Sequence, residues 1–298
     1  MDKGTAMSLQ KKLRERLNVP EILLAPGIYD AFGAMMAERA GFDALYLSGA
    51  SIAYTKLGRP DIGLITADEL ATIVGTIRER TNLPLIVDAD TGFGNALNVQ
   101  RTIKMLERNG ASAIQIEDQS LPKRCGHLEG KTLVSVDEMK GKIKAALDAR
   151  RDQGTLIVAR TDAIGVEGYD LAMERAVGMV EAGAEVLFIE AFQNEEQIAG
   201  TVEEFGGKIP LLVNMVEGGK TPMSPAHELQ EKGFSIVIFP GGLVRTLAHA
   251  AEQYFNSLYQ NGSTLEHLDH MYDFAALNDL LDTEKMLEAG KKYSEGGD

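Results

Sequence analysis

Eight short apolar segments, each followed by a stretch with helical periodicity, constrain the fold of this chain more than any other feature. The segments are rich in leucine and β-branched residues, which favour strands that are buried on both faces. Glycine repeatedly marks the ends of the helical stretches, for example at Gly110 and Gly183. The predicted strands are 22–25, 44–48, 85–90, 113–117, 156–160, 186–190, 210–214 and 235–239. This alternation predicts an α/β fold built on a parallel sheet.

The number and regularity of these units favour a closed (β/α)8 barrel over an open, doubly wound sheet. An open sheet that binds a dinucleotide carries a glycine-rich turn after its first strand, and this chain has none there. We expect residues 1–262 to form the barrel and residues 263–298 to form a C-terminal helical tail. The tail has an apolar stripe that either a neighbouring subunit or the chain's own barrel could cover. The stripe consists of Met271, Phe274, Leu277, Leu280 and Leu281.

Net charge, the length of the apolar runs and the number of cysteines argue against several classes of protein. The net charge of −14 argues against a nucleic-acid partner, because phosphate contacts require a basic surface. No apolar run approaches the roughly 18 residues of a membrane span, and residues 1–18 lack the apolar core of a signal peptide. A single cysteine forms no intramolecular disulfide, which favours a cytoplasmic location.

The carboxyl ends of the strands build the active site in a barrel of this kind. Except for Ser48 and Gly49 after the second strand, each of the selected strand ends supplies a charged or amide side chain within an apolar run. A structural role explains any one of them equally well, since aspartate often caps a helix and Arg160 could pair with Asp162 on the surface. It explains the whole set poorly. The set is Ser48, Gly49, Asp88, Asp90, Glu117, Arg160, Glu190 and Asn214.

Three carboxylates from this set form a candidate metal site. Asp88 and Asp90 are two residues apart on one predicted strand, so their side chains project to the same side. Glu117 on the neighbouring strand completes an all-oxygen cluster, and like charges this close raise one another's pKa unless a cation neutralises them. Such a cluster fits Mg²⁺, with Mn²⁺ as a second possibility. Zn²⁺ fits less well, because Cys125 and His127 lack a second pair of soft ligands.

The only cysteine lies in a basic segment at 123–131 (KRCGHLEGK), which we call the cysteine loop. Two lysines and an arginine surround Cys125 and His127 there. A positive environment lowers the pKa of a thiol, so we expect Cys125 to exchange protons near neutral pH. Burial of Cys125 as a small hydrophobic residue is the alternative, and its charged neighbours argue against it. A lone histidine is more often structural, but these neighbours make His127 a candidate catalytic residue.

Three segments together resemble the isocitrate lyase/phosphoenolpyruvate mutase superfamily. They are 87–94 (VDADTGFG), 116–119 (IEDQ) and 123–127 (KRCGH), and the resemblance extends over nearly the whole chain. It implies a (β/α)8 barrel, a Mg²⁺ site and usually a homotetramer that exchanges a C-terminal helix between subunits. The cysteine loop and the chain length resemble the short carbon–carbon lyases, the 2-methylisocitrate and 2,3-dimethylmalate lyase branch.

Two single positions bear on the substrate that this resemblance implies. Phe188 is similar to the residue that lets the short lyases accept the methyl group of pyruvate. Leu128 stands where 2-methylisocitrate lyases typically have an arginine, which favours a dicarboxylate of the dimethylmalate type. The implied reaction is the cleavage of a small 2-hydroxy-2-methyl di- or tricarboxylate to pyruvate and either propionate or succinate.

The resemblance also implies roles for individual residues. Cys125 is expected to protonate the carbanion as general acid. The candidates to stabilise its charge are Arg160, His127 and Asn214, with Thr221 beside them. Tyr46 and Glu117 are both candidates for the general base, and the sequence does not choose between them. The expected substrate contacts are Ser48, Gly49, Asp61, Gly126, Arg160, Glu190, Asn214 and Thr221.

Other functions remain compatible with the sequence. An oxaloacetate hydrolase or decarboxylase, or a phosphonomutase of the carboxyphosphonoenolpyruvate or phosphoenolpyruvate type, belongs to the same superfamily. A barrel that binds a dicarboxylate without turnover is a different class of protein. The charged strand ends and the cysteine argue against that last alternative.

Overall fold

The computed structural model describes residues 7–294 and contains a closed barrel of eight parallel strands. The barrel closes because β1 pairs with both β2 and β8, which places Leu23 opposite Ile236 and Gly27 opposite Tyr46. This closure confirms the predicted (β/α)8 barrel. The strands are β1 Leu23–Ile28, β2 Leu45–Leu47, β3 Leu85–Asp88, β4 Ala113–Glu117, β5 Leu156–Thr161, β6 Val186–Ile189, β7 Leu211–Asn214 and β8 Ile236–Phe239.

Each strand is followed by one or more helices. A π-helical turn, Ala53–Leu57, extends the short helix α3, and a 3-10 helix, Leu265–His270, follows α11. The α-helices are α1 Leu9–Arg16, α2 Ala31–Arg39, α3 Gly49–Ile52, α4 Ala67–Arg80, α5 Ala96–Arg108, α6 Val136–Ala149, α7 Ile164–Glu167, α8 Tyr169–Glu181, α9 Glu195–Phe205, α10 Ala226–Lys232, α11 Gly242–Asn261, α12 Phe274–Leu280 and α13 Thr283–Ser294.

Polar caps fix where the loops at the carboxyl side of the strands end. Thr66 and Glu69 form a reciprocal capping box at the start of α4, and Ser135 accepts a hydrogen bond from the Glu138 amide at the start of α6. Such caps satisfy backbone N–H groups that would otherwise lack partners. They therefore set the lengths of the loops that build the site.

The barrel interior is filled by side chains, so it is a core and not a channel. Tyr46 and Phe188 are the largest of these side chains, and both are buried. Leu13 of α1 joins the same cluster with no exposed surface, so α1 covers the amino end of the barrel. Arg14 anchors α1 through an ion pair of 2.6 Å to Glu185. Helix α1 has no counterpart among the predicted elements.

The chain divides into two compact units within α11, one ending at Val244 and the other beginning at Arg245. The sequence places the domain boundary later, after position 262. In the second unit Leu280 is buried, whereas Phe274 is 87% exposed and Met271 and Leu277 are also exposed. Within residues 7–294, no helix is both long and apolar enough to cross a membrane.

Candidate active site

Two carboxylates lie at the carboxyl end of β3, but only one belongs to the strand. β3 ends at Asp88, and Asp90 follows in a turn with a positive φ of 47°. Aspartate adopts this left-handed conformation more readily than most residues. The prediction that both lie on one strand is therefore wrong. The two carboxylates converge all the same, because a Cβ on Gly49 would lie 3.5 Å from Asp90 Oδ1 and 3.6 Å from Asp88 Oδ2.

A relay of hydrogen bonds behind Asp88 orients its carboxylate. The Tyr46 hydroxyl donates to Gln115 Oε1 (2.9 Å), and Gln115 Nε2 donates to Asp88 Oδ1 (3.0 Å). Burial, with the Asp88 charge, raises the pKa of Tyr46 well above its usual value, so the phenol keeps its proton. Of the two candidate bases, this environment favours Glu117 over Tyr46.

Arg160, on β5, lies at the centre of a buried network of ion pairs. Its guanidinium donates to both oxygens of Asp162 at 3.0 Å and approaches Glu117 Oε2 (3.4 Å) and Glu190 Oε2 (3.6 Å). The Arg160–Asp162 pair is buried, which rules out the surface pair that one interpretation of the sequence allowed. Burial lowers the pKa of Arg160, but the carboxylates outweigh it and raise that pKa well above its usual value. Arg160 therefore stays charged and can stabilise negative charge beside it.

Lys123 belongs to the site although sequence reasoning gave it no role of its own. Its ammonium lies 2.7 Å from Asp61 Oδ1 and 2.5 Å from Asp90 Oδ1, and its side chain is 4% exposed. Burial lowers the pKa of this ammonium, but the carboxylates, Asp90 first among them, raise it well above its usual value. The only signal in the sequence was the place of Lys123 beside Cys125. Lys123 links the cysteine loop to the carboxylate cluster.

The buried carboxylates match the donor set of a hard divalent cation. Burial raises the pKa of Asp90 to about 6, although Lys123 opposes the shift, and burial raises the pKa of Glu117 well above its usual value. Glu117 Oε1 is buried without a hydrogen-bond partner. Among residues 7–294, no three His, Cys, Asp or Glu side chains form a group that could hold an ion by themselves. Mg²⁺ usually binds through one or two carboxylates and keeps several waters, so these oxygens fit it.

The cysteine loop folds directly over Arg160. Gly126 packs so closely there that a Cβ would lie 2.5 Å from Arg160 Nη2 and 2.6 Å from Glu190 Cγ. The side chain of Gln119 holds the base of the loop, because it donates to Arg124 O (2.8 Å) and accepts from Arg124 N (2.9 Å). The structure thus brings the loop together with the strand-end residues beneath it.

The environment of Cys125 differs from the expected basic one. The thiol is partly buried, and burial raises its pKa more than a hydrogen bond from the His127 backbone lowers it. The two lysines of the loop pair with buried aspartates instead of facing the sulfur. The prediction of an acidic thiol is therefore wrong. A thiol that keeps its proton at neutral pH is suited to donate it as a general acid.

His127 is oriented by contacts on both sides of its ring. Its Nδ1 accepts a hydrogen bond from Lys220 N (3.1 Å), and its Nε2 lies 3.4 Å from Glu190 Oε1. Burial lowers the pKa of His127, so the ring is neutral and carries its proton on Nε2. Glu190 also accepts from Asn214 Nδ2 (2.9 Å), which places Asn214 in the same cluster.

The other expected substrate contacts differ in how closely they join the site. Ser48 is buried at the end of β2, and its hydroxyl accepts from Ser51 N (3.2 Å). Thr221 is buried in the loop after β7. Leu128 is 46% exposed and lies beside Ile62 on the surface. This placement does not support the expectation that position 128 selects a dicarboxylate.

Comparison with known proteins shows similarity over most of the chain. The family described as phosphoenolpyruvate phosphomutase matches residues 13–259. A 2-methylisocitrate lyase of Aeropyrum pernix is 49% identical over 271 residues, which are 90% of this chain and 86% of that protein. A 2,3-dimethylmalate lyase of Eubacterium barkeri is 41% identical over 290 residues, which are 97% of this chain and 100% of that protein. The chain belongs to the isocitrate lyase/phosphoenolpyruvate mutase superfamily.

Solved structures agree with this membership. A 2,3-dimethylmalate lyase of the superfamily matches with a TM-score of 0.91 and 34% identity, covering 99% of both chains. A phosphonopyruvate hydrolase in complex with oxalate and Mg²⁺ matches with a TM-score of 0.87 and 28% identity, covering 97% of this chain and 100% of that one. As its cysteine loop predicts, the protein is a carbon–carbon lyase of this superfamily.

The raised thiol pKa of this lyase can be measured directly. In a pH titration, the ultraviolet absorbance of the thiolate is expected to develop at higher pH in the folded protein than in the same chain unfolded in guanidinium. The physical reason is that burial disfavours the charged form. The eight tyrosines absorb in the same region when they ionise, so the same titration of Cys125→Ser is subtracted, and the difference reports the single cysteine. A thiolate that forms at lower pH in the folded protein would contradict this result and restore the acidic thiol.

Proposed function

We propose that this lyase cleaves a small 2-hydroxy-2-methyl carboxylate, of the 2,3-dimethylmalate or 2-methylisocitrate type, to pyruvate and either propionate or succinate. The observation that carries the proposal is the placement of a buried carboxylate cluster beside Arg160, with the cysteine loop folded over both. The relatives named for these two substrates support the same reaction class.

The carboxylate cluster forms the end of the site that receives the 2-hydroxy acid. Asp90, together with Asp88 and Glu117 directly or through water, would hold Mg²⁺ or Mn²⁺, and the bound ion would supply Lewis-acid polarisation of the substrate hydroxyl and carboxylate. We assign Ser48 and Gly49 to the carboxylate of the pyruvate unit, because Gly49 lies so near Asp88 and Asp90 that a Cβ there would contact both.

Cleavage needs one proton acceptor, one proton donor and a site for developing charge. In the proposed mechanism Glu117, whose Oε1 has no hydrogen-bond partner, takes the proton of the C2 hydroxyl. The C2–C3 bond breaks, C2 becomes the ketone carbon of pyruvate, and the electron pair moves onto C3 and its carboxylate. Arg160 and the Nε2 proton of His127 stabilise that charge. Cys125 then donates its proton to C3.

The experiment that tests this function is an assay of pyruvate release with Mg²⁺ present. The four substrates offered in parallel are 2,3-dimethylmalate, 2-methylisocitrate, isocitrate and oxaloacetate. Pyruvate from either of the first two supports the proposal, and the better substrate shows whether the site accepts two or three carboxylates. Turnover of oxaloacetate alone would favour the hydrolase or decarboxylase alternative. Ligand-dependent protection without any product would favour a binding protein.

Removal of the metal gives a separate prediction. EDTA is expected to abolish pyruvate release, and excess Mg²⁺ is expected to restore it. Asp90→Asn should weaken cation affinity by about 100-fold or more, because a neutral amide replaces a carboxylate that is expected to bind the ion directly. This affinity is measured without any substrate by titrating the protein with Mn²⁺ and following the loss of the electron paramagnetic resonance signal of the free ion. Equal Mn²⁺ affinity in the variant and the wild type would remove Asp90 from the metal site.

We further propose a cytoplasmic homotetramer as the working form. Large apolar side chains of the second unit are exposed in the single chain, among them Phe255, Tyr259 and Phe274. Burial of such surface between subunits is favourable, which supports an oligomer. Light scattering is expected to give the mass of four chains of 32.3 kDa each, and the mass of a single chain would contradict the proposal.

A further inference from the structure

Lys131, at the end of the cysteine loop, is buried and has no part in the mechanism above. Its side chain is 2% exposed. Its ammonium donates to the backbone oxygen of Gly126 and lies 3.2 Å from Asp162 Oδ1. Burying an ammonium is unfavourable unless it is paired, so these two contacts account for its position.

The two acceptors of Lys131 belong to different parts of the site. Gly126 follows Cys125 directly in the cysteine loop, so its backbone oxygen moves with the thiol. Asp162 is fully buried and holds the guanidinium of Arg160 with both carboxylate oxygens. A single ammonium therefore joins the backbone beside the thiol to the carboxylate that orients Arg160.

We propose that Lys131 is a positioning residue that latches the cysteine loop over Arg160 and so sets where the Cys125 thiol lies. The compact ammonium has three donors and can serve two acceptors at once. Without the two contacts of Lys131, the part of the cysteine loop around Gly126 is free to move, while Gln119 still holds Arg124 at the base of the loop. The inference deepens the proposed function, because it concerns the placement of the proton donor.

The test measures how fast iodoacetamide alkylates Cys125 in the folded protein, followed by intact mass. Because the chain has one cysteine, one adduct reports one site. Lys131→Met keeps the length of the side chain and removes its donors, and it is expected to alkylate about 10-fold faster than the wild type. Removing a nearby cation raises a thiol pKa and slows alkylation, so an increase in rate reports an open loop and not a charge effect.

Arg124→Met is the matched control, because it removes a cation from the same loop. Arg124 donates to Glu129 O on the exposed side and does not contact Asp162. Its alkylation rate is expected to stay within about twofold of the wild type. A Lys131→Met protein with unchanged melting temperature and wild-type alkylation would overturn the proposal. If Lys131→Met does not fold, Lys131→Gln, whose amide is too short to reach both acceptors, takes its place under the same criteria.

Turnover gives a second readout that a merely structural role would not produce. With the substrate found in the pyruvate assay, Lys131→Met should lower kcat about 10-fold or more and change KM less than threefold. A rise in KM as large as the fall in kcat, or no change in either constant, would contradict a positioning role. The alkylation measurement needs no substrate, so an error in the proposed substrate leaves that test intact.

Discussion

Replacing Cys125 with serine is expected to lower kcat about 10³-fold, within the range of about 10²–10⁴ that a positioned general acid contributes. A serine hydroxyl has nearly the shape of the thiol but is a far weaker acid, so it protonates the carbanion poorly. The metal cluster and Arg160 are untouched, so KM and the affinity for Mn²⁺ should change less than about threefold. Steady-state kinetics of pyruvate release measures both constants.

The Cys125→Ser protein also allows a check of the order in which bond cleavage and protonation occur. If protonation is lost but the C2–C3 bond still breaks, a single turnover should release pyruvate while the second acid forms slowly. Retention of more than about a tenth of the wild-type kcat would remove Cys125 from the mechanism. A large rise in KM with unchanged kcat would instead assign the thiol to substrate binding.

Replacing Gly126 with alanine is expected to lower kcat about 10²-fold with little change in folding stability. The new Cβ would lie 2.5 Å from Arg160 Nη2, 2.6 Å from Glu190 Cγ and 2.9 Å from Asp162 Oδ1. These partners are held in a buried network and cannot move aside, so the loop must shift outward instead. Displacing a reacting group by about 1 Å costs on the order of 10²-fold in rate. Faster alkylation of Cys125 should accompany the loss.

Gly141→Ala is the control for this substitution. Gly141 lies in helix α6, and a Cβ there would meet nothing within 4 Å. Alanine is favoured over glycine inside a helix by roughly 1 kcal/mol, so this variant should keep its kcat and gain slightly in melting temperature. Wild-type kcat in Gly126→Ala would show that catalysis does not require the closed loop seen here.

The pattern of apolar strands predicted the barrel closely, because the periodicity of a strand or helix depends on residues that are neighbours in the sequence. Strand β4, for example, has the predicted bounds. The errors occur where the backbone leaves regular geometry. Asp90 was assigned to a strand, but its left-handed backbone puts it in a turn, which period-2 alternation cannot reveal.

The partners of the charged groups could not be predicted in the same way. The sequence places Lys123 and Lys131, with Arg124 and His127, in the same segment as Cys125, and from that positive environment we expected a thiol with a lowered pKa. In the structure both ammonium groups turn away to buried aspartates, Lys123 to Asp61 and Asp90, and Lys131 to Asp162. Burial then dominates the environment of the sulfur.

The sequence by itself determined which side chains stand at the carboxyl ends of the strands, because a parallel barrel places consecutive strand ends on one rim. It also determined that a loop with one cysteine follows β4. Only the tertiary structure decided how that loop lies over the rim, and therefore which cation meets which carboxylate. Coulomb and burial energies depend on distances through space, and residues far apart in the chain, such as Asp61 and Lys123, come within 2.7 Å only after folding.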